Sequence, residues 1–211
     1  MRARAPGSSA NLGPGFDVLA LALALYVEVE VAPAAQLSLR TEGEGADLVP
    51  DHEHLAVRVA AAVCGHDRFD IHIRSEIPLG RGLGSSAALA VATAAAVGAA
   101  DPFSVAVGFE GHAENAAASV RGGLVSAALL DTGPVACALA LDPALVFVVL
   151  VPDRQLPTEE ARIALEAQVS RADAVFNLSR MGLLLAGLAD HRQLVGAACD
   201  DRLHQPQRAP L

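Results

Sequence analysis

A glycine-rich stretch over residues 78–88, PLGRGLGSSAA, contains the residue types best suited to binding an anion. The three glycines of GRGLG let the main chain approach a ligand closely, because they carry no Cβ. Ser85 and Ser86 open an alanine-rich run that predicts a helix, whose first N–H groups and positive dipole end would face the same ligand. This spacing favours a phosphate-binding loop, although a tight turn between a strand and a helix can have the same composition.

Two other kinds of nucleotide-binding loop fit this stretch less well. The chain has no lysine among its 15 basic residues, which excludes a P-loop of the G-x-x-x-x-G-K-[ST] type. GLGSSA matches the dinucleotide pattern G-x-G-x-x-A, but the strand before it alternates, whereas the first strand of a doubly wound sheet is apolar on both faces. The acid about 20 residues further on is Asp101, and no strand is predicted before it. A phosphate would therefore be bound by main-chain N–H groups, hydroxyls, arginine or a metal.

The elements that position this loop are predicted from the periodicity of apolar residues. FDIHIRSEI, at residues 69–77, alternates strictly and predicts a strand buried on one face, and a helix over 85–99 follows the loop. Residues 6–17 predict a loop, and the continuously apolar residues 144–152 predict a strand buried on both faces. We also expect strands over 26–31 and 37–39 and a hairpin over 122–141. Helices are expected over 54–64, 104–119, 170–189 and 191–203, and a further helix is expected to begin at residue 158. This order indicates an α+β fold.

The bulk composition limits the partners and the compartment. With 211 residues the chain has room for one large domain or two small ones. Its formal charge of −9 argues against general binding of nucleic acid or an anionic membrane. The cysteines, at 64, 137 and 199, are far apart and are expected to be buried thiols. No signal peptide and no membrane-spanning segment is predicted, so we expect a cytoplasmic protein.

Several motifs, taken in order along the chain, resemble the GHMP small-molecule kinases. PLGRGLGSSAA is similar to their second motif, P-x-x-x-G-L-G-S-S-A-A. APGSSANLGPGFDVLALAL, near the N-terminus, resembles their first motif as it occurs in the homoserine kinases. EGHAENAAASVRGGL, at residues 110–124, resembles the family segment E-G-H-x-D-N with its following G-G, and Glu114 stands where aspartate is more usual. TEEAR, NLSR and DRLHQPQR also look like homoserine kinase stretches.

The resemblance implies a fold, an activity and two ligands. It implies an N-terminal α/β domain similar to domain 2 of ribosomal protein S5, over residues 1–142, and an incomplete ferredoxin-like C-terminal domain, over 143–211. The implied activity is ATP-dependent phosphorylation of L-homoserine to O-phospho-L-homoserine, in threonine biosynthesis, with Mg²⁺. The implied partner is a small-molecule substrate rather than a nucleic acid or a membrane. A homodimer is a further expectation, because the incomplete C-terminal domain would leave sheet edges open.

The resemblance also assigns roles to individual positions. It implies that Ser86 and Glu110 bind Mg²⁺, and that these two residues and Asn115 form the catalytic group. It assigns the ATP phosphates to Pro78, Leu79, Gly80, Arg81, Gly82, Leu83, Gly84, Ser85, Ser86 and Ala87. It assigns homoserine to Asn11, Asp17, His112, Asn115, Arg162 and Arg208, and places Glu114 in the same pocket. No general base is assigned.

The chain departs from the family pattern near its end. The family's third motif, a Gly/Ser-rich loop, is expected after DRLHQPQR and is not found before Leu211. Two alternatives therefore stand beside homoserine kinase. One is a kinase for another small alcohol, against which NLGPGFD, Arg162 and Arg208 argue. The other is a shortened, non-catalytic protein that retains nucleotide binding.

Overall fold

The computed structural model describes residues 1–151 and 158–210, with only the main chain described at 158–160. The strands are β1 (Arg2–Ala10), β2 (Leu19–Pro33), β3 (Ser38–Gly43), β4 (Phe69–Ser75), β5 (Leu124–Leu130) and β6 (Gly133–Ala138). The helices are α1 (Leu55–Cys64), α2 (Ser85–Ala96), α3 (Pro102–Glu110), α4 (Glu114–Arg121), α5 (Thr158–Ile163), α6 (Arg171–Ala189) and α7 (Gln205–Arg208). Two 3₁₀ turns, His191–Gln193 and Gly196–Cys199, lie between α6 and α7.

The strands form one mixed sheet around the long strand β2. β1 pairs antiparallel along one edge of β2, and β4 and β5 share the opposite edge, at Val27–Pro33 and Leu19–Leu21 respectively. β3 extends the sheet by parallel pairing with β4, and β6 extends it by a hairpin with β5. The combination of parallel and antiparallel pairing with separate helices confirms the α+β class.

Helices α1 to α4 cover one face of the sheet and form its main core. The alternation predicted for β4 holds at Phe69, Ile71 and Ile73, which are buried, and at Asp70 and Arg74, which are exposed. His72, on the predicted polar face, is buried as well, with its Nε2 2.7 Å from the carboxylate of Glu42 in β3. Helix α2 is buried around most of its circumference, by eight of its twelve residues. Small alanine side chains allow this close packing of α2 against the sheet and against α3 and α4. The glycine-rich loop before α2 is therefore attached to the most deeply buried helix.

A second, smaller core joins the C-terminal helices to the opposite side of the sheet. Leu184 and Leu188 of α6 pack with Leu19, Leu21 and Leu124 of the sheet. Ser170 caps α6 by accepting a hydrogen bond from the main-chain N–H of Asp173, as the sequence predicts. Helix α6 is also long and apolar enough to cross a membrane by length and composition alone, a test that core helices of soluble proteins pass too. No membrane-spanning segment is predicted here from the sequence.

Two predicted elements have different limits in the structure. Residues 6–10, predicted as loop, belong to β1, because β2 supplies a partner for this Gly- and Ser-rich segment. The single helix predicted over 104–119 is two helices, α3 and α4. Gly111 separates them in the left-handed conformation, with φ 76°, and its N–H bonds to the carbonyl of Val107 as a helix C-cap.

The sequence-based expectations are least accurate toward the C-terminus. Residues 144–151 are not a buried strand: they are irregular, and Val146, Val148 and Leu150 are exposed. A strand needs a hydrogen-bonding partner, and no described strand pairs with this segment. The helix expected over 191–203 is replaced by the two 3₁₀ turns, and two of the three cysteines, Cys137 and Cys199, are exposed. The proposed boundary at residue 142 stays a prediction.

Candidate functional site

The glycine-rich loop connects β4 to α2 in an open, curved conformation. Gly80, Gly82 and Gly84 have φ values of 66°, 70° and 65°, so the chain returns to the left-handed region at every second residue. Alternation of this kind points successive main-chain N–H groups into one concavity that suits an anion. Gly84 is the N-cap of α2, and no described side chain caps that helix, so the N–H groups of its first turn are available to a ligand.

Ser86 and Glu110 meet beside this loop. Ser86 lies in the first turn of α2 and Glu110 is the last residue of α3. The hydroxyl of Ser86 donates to Oε1 of Glu110 at 2.5 Å, across 24 residues of sequence. A hydroxyl and a carboxylate are hard oxygen ligands of the type that Mg²⁺ prefers, so this pair fits a divalent cation next to bound phosphates.

His112 lies between two carboxylates where α3 gives way to α4. Its Nδ1 is 3.2 Å from Oε1 of Glu114, and its Nε2 is 3.8 Å from Oε2 of Glu110. The Glu114 carboxylate raises the pKa of His112 above its ordinary value, although the geometry leaves Nδ1 without a hydrogen bond among the described residues. Burial alone would raise the pKa of Glu114, but the contact with His112 holds it below its ordinary value overall. Glu114 is only 1% exposed, and its Oε2 has no hydrogen-bond partner among the described residues.

The loop between β1 and β2 brings Asn11 and Asp17 to the same place. Both residues have positive φ, 59° and 54°, which is uncommon outside glycine and most easily tolerated by Asn and Asp. Oδ1 of Asn11 accepts a hydrogen bond from the main-chain N–H of Asp17 at 2.8 Å and so closes the loop. Arg162 then donates two hydrogen bonds to the Asp17 carboxylate, at 2.9 and 3.1 Å, which attaches α5 to this loop.

Arg208 reaches the site from the C-terminal part of the chain. Its Nε donates to the carbonyl of Ala161 at 3.0 Å, and its guanidinium lies 5.0 Å from the centre of the Phe16 ring. Burial lowers the pKa of Arg208 below its usual range. The buried carboxylate of Asp201 accepts from the side chain of Asn177 and from main-chain N–H groups of residues 203, 204 and 205, and these bonds fix the turn that leads into α7.

These groups surround one cavity of about 450 Å³. It is lined by Ala10, Asn11, Gly80, Arg81, Gly82, Leu83, Gly84, Ser85, Ser86, Glu110, His112, Glu114, Asn115, Ala161, Arg162 and Arg208. The cavity therefore includes most of the residues that the sequence analysis assigned to phosphate, metal and substrate. Its wall combines a run of glycines with three arginines and three ionisable groups from the α3–α4 region.

Four of the predicted site residues lie outside this lining. Pro78 begins the loop and is not part of the lining, and Leu79 lines a separate cavity of about 40 Å³ beside Ser85. Ala87 is buried within α2 and supports the loop by packing. Asp17 is not part of the lining, but its carboxylate accepts a hydrogen bond from Arg162, which lines the cavity.

Sequence reasoning missed three residues around the cavity. Ala10 and Ala161 line it with main chain and a methyl group, and alanine carries no chemical signal. Ser8 is fully buried and donates its hydroxyl hydrogen to Oδ1 of Asn115 at 2.8 Å. Ser8 stands in the same motif as Asn11, but only the pairing of β1 shows that it faces the loop rather than solvent.

Comparison with known families agrees with this arrangement. The family described as "GHMP kinases N terminal domain" matches residues 54–130, a span that contains the glycine-rich loop and the segment from Glu110 to Asn115. That match covers the elements that build the phosphate side of the cavity. The match does not reach Arg162 and Arg208, on the other side of the cavity, so relatives that match more of the chain are needed for that side.

Such relatives match nearly the whole chain. The homoserine kinase of Rhodococcus opacus is 43% identical, over 99% of this chain and 76% of the relative, and that of Mycobacterium tuberculosis is 42% identical, over 96% and 71%. Among solved structures, the homoserine kinase of Cytophaga hutchinsonii has a TM-score of 0.78 at 26% identity, over 100% of this chain and 74% of that one. The fold and the resemblance expected from the sequence are confirmed. The chain belongs to the homoserine kinase family of the GHMP kinases.

Proposed function

We propose that this chain transfers the γ-phosphoryl group of ATP to the side-chain hydroxyl of L-homoserine, giving ADP and O-phospho-L-homoserine. The observation that carries the proposal is a single cavity in which a glycine-rich anion site faces a pair of arginines. A phosphoryl donor and an amino acid need those two kinds of contact. Membership of the homoserine kinase family supports the same reaction.

The glycine-rich side of the cavity would bind the phosphates of ATP. Main-chain N–H groups from Gly80 to Ser85 and the start of α2 supply hydrogen bonds and a positive dipole end without a lysine. Arg81 adds a positive charge to this wall. Ser86 and Glu110 would hold Mg²⁺, which supplies charge neutralisation for the phosphoryl group when it is bound.

The opposite side of the cavity would bind the amino-acid part of homoserine. Arg162 and Arg208 suit the α-carboxylate, since a guanidinium pairs with a carboxylate through two parallel hydrogen bonds. Asp17 suits the α-ammonium group and already lies beside Arg162. The carboxylate of homoserine would thus meet two arginines of the lining, and its ammonium group would reach Asp17, outside the lining, beside Arg162. Its side chain would extend toward Asn115, His112 and the phosphate loop.

Transfer in this site depends on orientation rather than on a strong base. The hydroxyl oxygen of homoserine forms a bond to the γ-phosphorus as the bond from that phosphorus to the ADP oxygen breaks, and the hydroxyl proton is released. Phosphoryl transfer is accelerated mainly by positioning and by neutralising the charge on the phosphoryl oxygens. Asn11 and Asn115 can orient the acceptor through their amides, and Nε2 of His112 lies 3.8 Å from the Glu110 carboxylate.

A coupled assay of ADP release with ATP, Mg²⁺ and L-homoserine tests the proposal. We expect homoserine-dependent turnover, a loss of about 100-fold or more in Glu110→Ala, and little change in Glu53→Ala, which removes an exposed carboxylate outside the cavity. Turnover with another small alcohol instead would reassign the substrate. ATP-dependent heat stabilisation without any turnover would leave a nucleotide-binding protein and overturn the enzyme proposal.

The proposal includes a cytoplasmic enzyme that works as a homodimer on a small-molecule substrate. Light scattering of the purified protein gives the mass in solution. A monomer that turns over homoserine would remove the dimer from the proposal and leave the reaction intact.

A further inference from the structure

Ser8 occupies a break in the regular pairing of β1 with β2. Up to Pro6, which faces Tyr26, the register is constant, but Ser8 faces Ala22, so β2 has two more residues than β1 in this interval. Irregularities of this kind turn a strand and redirect its side chains, and they are common beside active sites. Here the main-chain N–H of Ser8 bonds to the carbonyl of Leu83, in the glycine-rich loop, at 2.9 Å. Ser8 therefore joins the strand to the loop.

The hydroxyl of Ser8 anchors the side-chain amide of Asn115. It donates to Oδ1 of Asn115 at 2.8 Å, while Nδ2 of Asn115 faces Oε1 of Glu114 at 3.5 Å. A carboxylate only accepts hydrogen bonds, so the flipped amide would place two oxygens against each other. A serine hydroxyl can donate or accept, so the contact with Glu114 selects the orientation. In that orientation Ser8 anchors the carbonyl, and the NH₂ group is left for Glu114 and the cavity.

The same hydroxyl leaves no space for a side chain at position 84. A Cβ added to Gly84 would lie 2.4 Å from the hydroxyl oxygen of Ser8 and 3.0 Å from Oδ1 of Asn115. Both distances are shorter than van der Waals contact, so the loop, the serine and the amide are packed as one unit. A displacement of Ser8 would therefore also displace the phosphate loop and Asn115.

We propose that Ser8 is a positioning residue for phosphoryl transfer, which holds the Asn115 amide with its NH₂ group directed to the acceptor end of the cavity. The inference rests on the function proposed above and adds a residue that touches neither ligand. Ser8 acts through Asn115, so its removal should change the rate more than the binding of ATP. A purely structural serine would change stability alone.

Kinetics of four variants test the proposal. Ser119→Ala is the matched control, because Ser119 is also a buried serine and its hydroxyl also ties α4 to β1, through the carbonyl of Pro6 at 2.9 Å. We expect Ser8→Ala to lower kcat about tenfold, as expected for loss of one orienting hydrogen bond, with the KM for ATP unchanged. Ser119→Ala should lose stability only. In an Asn115→Ala background, Ser8→Ala should have no further effect.

A measurement without turnover separates this inference from the proposed function. The side-chain NH₂ signals of Asn115, identified in an ¹⁵N-correlated NMR spectrum by their loss in Asn115→Ala, should move in Ser8→Ala and stay in place in Ser119→Ala. If the wild-type protein shows no homoserine-dependent turnover, the proposed function fails. The NMR measurement alone then decides whether Ser8 orients the Asn115 amide. Unmoved signals, an unchanged kcat, or equal losses in Ser8→Ala and Ser119→Ala each overturn the positioning role.

Discussion

The two sides of the cavity are built in different ways. The phosphate side is main chain, formed by closely spaced residues between β4 and α2 and anchored to a helix that is buried on most of its surface. The amino-acid side is formed by Asp17, Arg162 and Arg208, which lie far apart in sequence and are joined by long polar side chains. One side is shaped by local sequence and core packing. The other exists only because distant segments meet.

This difference determines how each side responds to mutation. The phosphate side depends mainly on main-chain N–H groups, to which Arg81 adds a positive charge, so it is sensitive to added volume at its glycines. The arginine side is sensitive to loss of charge, because Arg162 is held by the Asp17 carboxylate and both arginines would pair with the carboxylate of the substrate. The predictions below test this contrast, from the largest effect to the smallest.

Gly84→Ala should have the largest effect. The new Cβ would meet the hydroxyl of Ser8 at 2.4 Å in a residue with φ 65°, so strain and overpacking add. We expect a loss of about 3 kcal/mol in stability and about 100-fold or more in kcat/KM. Urea unfolding and the coupled assay measure the two effects.

Gly82→Ala is the matched control for that prediction. Gly82 also has a left-handed conformation, with φ 70°, but a Cβ there would meet no described atom within 4 Å. Only the conformational cost of about 1 kcal/mol is expected. Equal losses in the two variants would show that backbone strain, and not contact with Ser8, limits the loop.

Arg162→Ala should have the next largest effect, and it should be selective for one substrate. Loss of a bidentate, charge-assisted contact predicts a rise of about 30-fold in the KM for homoserine, with the KM for ATP nearly unchanged. Arg192→Ala is its control, since Arg192 makes a similar two-bond pair with Asp190 on an exposed surface. A parallel rise in the KM for ATP in Arg162→Ala would contradict the division of the cavity into two sides.

Asp201→Asn should have the smallest effect on activity. The variant disturbs the bonds to Asn177 and to residues 203, 204 and 205, with an expected loss of about 2 kcal/mol in stability. Because Arg208 is only repositioned, the KM for homoserine should rise about threefold. Wild-type KM in this variant would mean that the turn before α7 does not position Arg208.

The stability difference between wild type and Asp201→Asn should depend on pH. Burial alone would raise the pKa of Asp201, but the bonds from Asn177 and from main-chain N–H groups hold it below its ordinary value overall. A carboxyl with a lowered folded-state pKa contributes fully above its unfolded pKa and loses its contribution as pH falls through the folded one. Thermal unfolding should therefore show a difference at neutral pH that shrinks in acid.

The pattern of apolar residues predicted some elements well and others poorly. β4 and α2 follow from strict alternation and from an alanine-rich run, because each buries a surface that the sequence displays directly. A strand is expected over 144–152, but its described residues, 144–151, are irregular. An apolar run does not show whether a partner strand is present. The helix expected over 104–119 is divided, because a glycine inside a helical pattern can be either an interior residue or a cap.

The candidate site shows the same division between local and distant information. The motif PLGRGLGSSAA by itself determined an anion-binding loop at the start of a helix, because glycine spacing and a helix N-terminus act within a few residues. The tertiary structure decided what that loop faces. It brought Arg162 and Arg208 to the opposite wall and set Ser8 against Asn115, since such contacts depend on packing between segments 40 to 150 residues apart rather than on any local pattern.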